Sequence, residues 1–450
     1  MKTKQALLSI LFLMFFLPLW GQEQHEYDFV VDGWGYSKGY QYHFDGPPTY
    51  NGDTTQLTLE GSNKTFQGVF TIPESVAGYP VTQIGGGCGG SCQLSGLVIP
   101  NSITSWLFGV FSNCQNLTSV VLGDNITRLE ECFQACPNLS KITFGENFNL
   151  AFNTFRDSFS GSSQNFNAAT DITWNAINGR IEEKYFPNLQ TLTLGEKVQV
   201  LPNDFMQATQ ITSLAIPASV KTIGEGAFVG SNKLETITVA SGNTKFDSRN
   251  NCNALISTST NELLLGCVNT VIPSTVTAIG NKAFWKNPLT EVTLPESVTK
   301  IGNYAFADCR NLKQVQLNEG LTSIGYRAFY NCNKIEEIVL PQSVTEMGGV
   351  FYGCTSLKRI FVCNPRPVPI SSDDYEMFFG VDKENCVLYV PKGSLATYWA
   401  ATGWNEFKNI VEFDPAGGEN PEPLKGDVNG DGKVNVSDIS TLINIILGIE

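Results

Sequence analysis

Three consecutive stretches decide the fold: IGNKAFWKNPLTEVTLPESVTK (Ile279–Lys300), IGNYAFADCRNLKQVQLNEGLTS (Ile301–Ser323) and IGYRAFYNCNKIEEIVLPQSVTE (Ile324–Glu346). Their anchoring aromatics, with the next one, are Phe284, Phe306, Phe329 and Phe351, spaced 22, 23 and 22 residues apart. Upstream, Phe205 and Phe228 are 23 apart, Phe111 and Phe133 are 22 apart, and Cys88 takes the aromatic slot 23 before Phe111. Six residues after most anchors comes an apolar residue that opens the pattern LxxVxL, as in Leu312, Val315 and Leu317. In an extended strand Val315 and Leu317 share one side, while Gln314 and Gln316 face the other. A second short strand follows in SVTKIG, where Val298 and Ile301 have the spacing to turn inward, and the glycines after it (Gly224, Gly280, Gly302, Gly325) suit a tight bend. Such a unit cannot bury its own apolar side, so the expectation is a mostly β solenoid with the phenylalanines stacked as a ladder. Roughly ten or eleven units at the strand spacing of a β-sheet make an array about 50 Å long.

Outward from this core the period breaks twice. Between Phe228 and Phe284 lie 56 residues, one repeat plus an extra segment (about 241–270) in which Ala254–Ser257 and Glu262–Leu265 flank a Thr/Ser turn, the pattern of an inserted hairpin. Between Phe144 and Pro187 the pattern degenerates into a stretch rich in Ser, Asn and aromatics, either an irregular repeat or a loop thrown out to one side.

The recurring IGxxAFxxCxNLxxIxLPxSVxxIG, most faithful from Val220 to Lys358, resembles the BspA-like leucine-rich-repeat family of secreted bacterial proteins. The tail LYVPKGSLATYWAATGWNEFKNIVEF (Leu388–Phe413) looks like that family's closing segment, and HEYDFVVDG near the start looks like its opening. The resemblance implies a leucine-rich-repeat solenoid, adhesion or binding at the cell surface, and no catalysis. The expected organisation is a signal peptide at 1–21, an N-terminal β cap at 22–80, the solenoid at 81–362, a C-terminal cap at 363–413 and a linker at 414–425. A small α-helical EF-hand-like module at 426–450 closes the chain.

Composition agrees. The 450 residues carry 29 Lys+Arg against 43 Asp+Glu, a net charge of −14, and only 16% are charged, below the roughly 25% of ordinary domains. Residues 1–21 (two lysines, an apolar run Ala6–Leu17, then Pro18 and Gly21) read as a cleaved secretory leader; the expectation is an exported chain, extracellular or at the cell surface, with no transmembrane segment after cleavage. Losing the leader removes Lys2 and Lys4 and no acid, leaving −16. That charge argues against nucleic-acid binding and anionic-lipid docking. With only His25 and His43, imidazole chemistry has almost nowhere to sit.

Of the twelve cysteines, Cys114, Cys136, Cys309, Cys332 and Cys354 occupy the slot three after the aromatic, where free buried thiols in a column are expected. Cys252 and Cys267 flank the inserted hairpin and form one candidate disulfide; Cys363 and Cys386 bracket the closing segment and form another.

One motif carries ion chemistry. In GDVNGDGKVNVSDISTLINIILGIE, the residues Asp427, Asn429 and Asp431 fall at loop positions 1, 3 and 5, with Gly432 at the sharp turn. Lys433 offers its backbone carbonyl, Asn435 acts through water and Asp438 closes the loop, so calcium is the expected cofactor. A helix with Ile439, Leu442, Ile443 and Ile446 on one face follows. The segment resembles a single dockerin repeat; dockerins normally carry two, and a partner for this half-module is expected without being named.

GGGCGG (Gly85–Gly90) matches a dinucleotide fingerprint formally, yet it lies in the repeat register with no helix pattern after it. No GxSxG, HExxH or P-loop string occurs, and the chain reads as a non-enzyme. Two function classes remain: binding or adhesion of a protein or glycan ligand through the sheet face, and a scaffold recruited to a carbohydrate-processing assembly through the calcium repeat. The outward face carries small polar residues such as Thr191, Thr193, Thr236 and Thr238, then Gln314, Gln316, Glu337 and Val339, with Arg359 and Phe361 as the expected anchor pair.

Overall fold

The structure is a computed structural model. It describes residues 28–415 except 32–33, 39, 44–45, 51–55, 60–66, 86–92, 107–109, 128–131, 134, 149–165, 167, 177–180, 182–185, 207–209 and 371–375. The leader, nearly all of the linker and the whole calcium loop with its helix therefore lie outside the described residues. The fold is mostly β, a solenoid of about 13 turns with repeats of about 23 residues, more turns than the roughly ten or eleven the period suggests. It divides into two units, residues 1–138 and 139–450.

In the first unit the chain opens antiparallel. Phe29–Val31 pairs with Trp34–Lys38, which pairs with Leu57–Leu59. Pairing then turns parallel: Leu57–Leu59 lies beside Tyr79–Ile84, and Gln67–Thr71 beside Gln93–Val98, itself beside Ser119–Val121. Parallel neighbours one coil apart are what a chain winding in one sense must produce. Trp34 stacks on Phe70 at 4.0 Å and closes the end of the core.

In the second unit each coil contributes to two sheets. The front sheet takes the LxxVxL strands: Lys141–Phe144, Asp171–Trp174 and Thr191–Leu194 run parallel and in register, Ile142 beside Ile172 beside Leu192. Asp171–Trp174 is thus paired on both sides, so the degenerate stretch contributes a strand in the repeat's place, while 149–165 lie outside the described residues. Further on, Glu291–Thr293 pairs with Gln314–Gln316, and Glu337–Leu340, Arg359–Val362, Val387–Pro391 and Asn409–Phe413 form four parallel strands. The back sheet takes the short strands Ala278–Ile279, Lys300–Ile301, Ser323–Ile324 and Glu346–Met347. Val298 and Ile301 are fully buried between the sheets.

The core ladder follows the repeat. Phe284, Phe306, Phe329 and Phe351 stack at 5.0, 5.3 and 6.2 Å with planes within 9° of parallel. Phe378 extends the stack at 6.0 Å, although it lies 27 residues after Phe351. Trp404 and Phe407 then close it edge-on. The helix Leu395–Ala400 contributes Tyr398, whose hydroxyl donates to the Asn364 carbonyl at 2.7 Å, and the Trp404 indole donates to the Val368 carbonyl at 2.9 Å. Buried Tyr and Trp need such partners for their polar tips.

The extra segment is a hairpin, Ala254–Ser257 against Glu262–Gly266, and it is built into the stack: Glu262–Gly266 pairs in parallel with Ala278–Ile279 and occupies a coil's place in the back sheet. The glycines after isoleucine have a different cause from the bend expected of them. Gly302 does not adopt a positive φ; a Cβ there would press against the Asn281 backbone of the preceding coil. What these positions require is close approach between coils, not conformational freedom.

Candidate functional site

The front sheet presents the expected polar rows. Thr191, Thr193, Thr236, Thr238, Glu291, Thr293, Gln314 and Gln316 are exposed, and the Thr293 hydroxyl donates to the Gln316 amide oxygen across the pair at 3.1 Å. Asp171 and Thr173, which the repeat pattern missed, stand in the same rows between Lys141/Thr143 and Thr191/Thr193. Parallel in-register pairing sets these polar side chains one strand spacing apart, as in the row Thr143, Thr173 and Thr193.

Toward the C-terminus the face changes character and corrects an expectation. Phe361 does lie on the outward side, but it is only 1% exposed and serves as no free anchor. The closing segment adds two strands to this sheet, and their outward residues cover it: Tyr389 stacks on Phe361 at 4.4 Å and Phe413 meets it edge-on. Val339, half-buried, packs against the same cluster. Arg359 is also engaged, its Nε donating to Glu337 Oε2 at 2.6 Å with both side chains partly exposed. These residues form a satellite apolar cluster on the outer face, sealed by the cap.

The two candidate disulfides are likewise corrected: Cys252, Cys267, Cys363 and Cys386 are all free thiols. Cys267 Sγ lies 3.2 Å from the Glu235 carbonyl and 3.4 Å from that of Asn253, while Cys252 Sγ turns toward the Ala254 carbonyl at 3.9 Å. In the repeat column Cys309, Cys332 and Cys354 are free thiols too, and they have a shared task. Cys309, Cys332 and Cys354 donate to the carbonyls of Phe284, Phe306 and Phe329, one coil back, at 3.0, 3.1 and 3.1 Å. Burial pushes all three thiols up, Cys354 to about 12.

A second surface lies on the turns that carry the aromatic anchors. Here alternate backbone N–H groups donate forward to the next coil: Lys282 to Asn303, Phe284 to Ala305 and Lys286 to Ala307, all within 2.9 Å. This ladder places two residues per coil in the left-handed region, one two after the anchor (Lys286, Asp308 and Asn331) and one two before it. Gly226 and Gly349 fill that slot in the flanking coils, but Lys282 (φ 58°), Tyr304 (55°) and Arg327 (53°) fill it between them. Aromatic residues line the same edge. Trp285 lies 6.2 Å from Tyr304, which meets Tyr326 edge-on at 5.6 Å. Tyr330 stacks on Tyr352 at 5.1 Å and Tyr352 on Phe379 at 4.7 Å. The Arg327 guanidinium sits between the two rows, 5.1 Å from the Tyr326 ring, 5.2 Å from Tyr330 and 4.8 Å from Tyr352. Phe379 is 55% exposed and Tyr326 36%. The signal for this edge was present in the sequence as aromatics beside the anchors, and strand alternation alone does not reveal it.

Among the described residues no group of three or more His, Cys, Asp or Glu is placed to hold a metal ion, and no helix is long and apolar enough to cross a membrane. A cleft of about 260 Å³ opens where the hairpin interrupts the turns, lined by Glu225, Phe228, Glu262, Leu264 and Lys282. Its two carboxylates and one ammonium lie on three different segments.

The chain matches the family described as BspA type leucine rich repeat region (6 copies) over residues 61–179, 164–263 and 267–379. Residues 425–450 match the dockerin type I domain. No curated protein matches the chain. Among solved structures it is similar to a leucine rich cell surface protein from Faecalibacterium prausnitzii, at 22% identity over 83% of this chain and 93% of that one, with a TM-score of 0.41. It is also similar to the pneumococcal vaccine antigen PcpA, at 18% identity over 86% and 98%, with a TM-score of 0.49. A leucine-rich-repeat protein from Bacteroides ovatus matches at 18% identity over 86% of this chain and all of that one, with a TM-score of 0.36. With its repeats matched over most of residues 61–379, the chain belongs to the BspA-type leucine-rich-repeat family and carries a dockerin type I segment at its C-terminus.

Proposed function

We propose that this is an exported, non-catalytic binding protein that meets a protein or glycan ligand at the cell surface through the front face of its solenoid. The observation that carries this reading is the set of exposed Thr, Glu and Gln residues on the front strands, in register within the pairs Ser213–Ile216 with Thr236–Val239 and Glu291–Thr293 with Gln314–Gln316. A flat face of small polar side chains suits modest contacts repeated along the array, and it lacks the convergent polar pocket that catalysis needs. The leader at 1–21 and the family of the repeats support export. The test is a glycan and matrix-protein array probed with the full chain. Binding lost on Thr238→Lys with Gln316→Lys is the expected result; binding that survives both substitutions overturns the face.

A second reading is favoured by the dockerin match: the chain is a scaffold component recruited to a carbohydrate-processing assembly, with a cohesin as the partner class. The donor set fits calcium. Asp427, Asn429, Asp431, the Lys433 carbonyl, Asn435 through water and Asp438 are all hard oxygen ligands, with Gly432 at the turn. The ion would neutralise three carboxylates that otherwise repel one another. Calcium-dependent capture of a cohesin, abolished by Asp427→Ala with Asp431→Ala, is the expected result. Equal capture by a chain ending at Phe413 counts against it.

A further inference from the structure

The turn ladder is interrupted where the hairpin enters. Before it, Asp204 and Met206 donate to the Glu225 and Ala227 carbonyls of the next coil at 3.4 and 2.7 Å. Beyond it, Lys282 and Phe284 donate in the same sense to Asn303 and Ala305 at 2.9 and 2.7 Å. In the coil between, the matching donors are the N–H groups of Gly226, Phe228 and Gly230, and none has a partner among the described residues. The turn nevertheless keeps the conformation that aims them forward: Gly226 has φ 64°, beside 51° at Asp204 and 58° at Lys282. On the far side the Asn281 carbonyl stands where the Glu225 carbonyl stands in its own coil, and it too is unpaired among the described residues. The hairpin fills a coil's place in the back sheet but supplies only the Gly266 N–H to this ladder, on Ala283. The cleft of about 260 Å³ opens at this gap, with Gly226 and Phe228 on one wall and Asn281 on the other. Buried backbone donors are almost always paired, so an unfilled rung beside a cleft marks a place for an outside acceptor.

We propose that this cleft is a peptide-binding site, in which a short extended segment of a partner protein takes the place of the missing turn and brings a lysine or arginine beside an apolar side chain. The site lies on the turns and stands whether or not the front face binds a ligand. An extended peptide presents carbonyls and N–H groups along both edges at a regular period, so one segment accepts from Gly226 and Phe228 and donates to Asn281. Main-chain bonds of this kind give affinity, and the side-chain surroundings give selectivity. Sugar hydroxyls have no such two-sided period. The cleft is apolar at Phe228 and at half-buried Leu264 and Leu265, which suits the apolar side chain. Charge selects the other. Of the charged groups that line the cleft, Lys282 Nζ lies 4.0 Å from Glu225, while the Glu262 carboxylate has no partner among the described residues. Asp204 adds a further carboxylate, its Oδ1 3.3 Å from where a Cβ on Gly226 would stand. Lys286, the next cation along, does not line the cleft and stands 5.6 Å from the Trp285 ring. Glu262 is therefore the group that receives the basic side chain of the partner.

The test adds acetyl-Val-Lys-Val-Lys-Val-amide to the full chain and reads calorimetric binding together with amide hydrogen exchange at single residues. Alongside run the same peptide with glutamate for lysine, the same peptide methylated on every amide nitrogen, and maltotetraose. In the parent, the peptide should slow exchange at Gly226 and Phe228 on the order of tenfold or more and leave Met206, already bonded, unchanged. Glu262→Gln keeps the side-chain shape and should weaken binding about tenfold. Lys282→Gly should act oppositely. The Lys282 stem passes over Gly226, its Cδ 3.4 Å from where a Cβ would stand, so its removal opens that wall and binding tightens. Glycine already fills this left-handed slot in Gly226 and Gly349, so the variant should melt at or above the parent temperature. Thr238→Lys with Gln316→Lys, on the front sheet, should bind the peptide as the parent does. The proposal is overturned if the parent does not bind the peptide, if bound peptide leaves Gly226 and Phe228 unprotected, or if the front-sheet variant loses it. It is equally overturned if the glutamate peptide, the methylated peptide or maltotetraose protects those amides as well, or if Glu262→Gln and Lys282→Gly both bind as the parent does.

Discussion

A cysteine three residues after the anchor is a small side chain that both fills the column and donates a hydrogen bond to the carbonyl of the preceding coil. Its cost appears at alkaline pH. In the unfolded chain these thiols ionise near their ordinary value of 9.0, whereas burial holds Cys354 near 12 and Cys309 and Cys332 up with it. Below that ordinary value both states keep the proton and stability does not respond to pH. Above it the unfolded state sheds protons the folded state retains, so stability falls progressively until the folded thiols ionise too. Melting temperatures of the parent chain should therefore hold up to the ordinary value of 9.0 and decline above it. The variant Cys309→Ser, Cys332→Ser, Cys354→Ser keeps a donor that does not titrate, and it should show a shallower decline. Identical slopes for the two chains would mean that the column contributes nothing to alkaline sensitivity. Half-buried Cys136 and Cys363 should alkylate before buried Cys309, Cys332 and Cys354 in native protein, as peptide mapping after brief thiol labelling would read.

The hairpin shows how an element that breaks the repeat can still serve it. Gly266 ends its second strand, donates to the Ala283 carbonyl at 2.9 Å, and faces Phe284 so closely that a methyl group would overlap the ring. Gly266→Ala should cost about 1–3 kcal/mol through displacement of the first stacked phenylalanine, measured by denaturant unfolding. Gly393→Ala, with open space around it but a positive φ, should cost about 1 kcal/mol, so the two separate crowding from backbone strain. An unchanged midpoint for Gly266→Ala would show that Phe284 has room to shift. The hairpin, both strands of each coil and the phenylalanine ladder were legible because period and alternation are local signals. Phe361 was not: alternation assigns its side correctly, but its burial depends on Tyr389 and Phe413, joined to that face only through the pairing of the cap. The disulfide readings failed in the same way. Symmetric spacing brought Cys252 and Cys267 into one neighbourhood without saying where their thiols point, and carbonyls nearby offered each a partner. The aromatic edge escaped because its residues recur once per coil, a period that strand alternation does not inspect.

In a solenoid each coil touches only its neighbours, so stability is a sum of coil terms and interface terms, and a lesion has a position as well as a size. Phe306 lies in the middle of the stack from Phe284 to Phe378, with a ring on either side at 5.0 and 5.3 Å. Phe306→Ala removes both contacts and leaves a cavity, a loss of about 3–5 kcal/mol concentrated at two adjacent interfaces. Phe378 closes the stack and also contacts Trp404 and Phe407, so Phe378→Ala causes a loss of similar size at one end. If the coils were one all-or-none unit, the two variants would lower a single melting transition by similar amounts. With nearest-neighbour coupling, the central lesion should instead split the transition and expose the chain near residue 306 to limited proteolysis, giving two protected fragments. The terminal lesion should fray the cap and leave one main transition. Calorimetry and fragment mapping of the two variants decide between these outcomes: a single, equally shifted transition in both would mean that the inter-coil hydrogen bonds of the turn ladder, which neither substitution touches, carry cooperativity along the array without help from the aromatic stack.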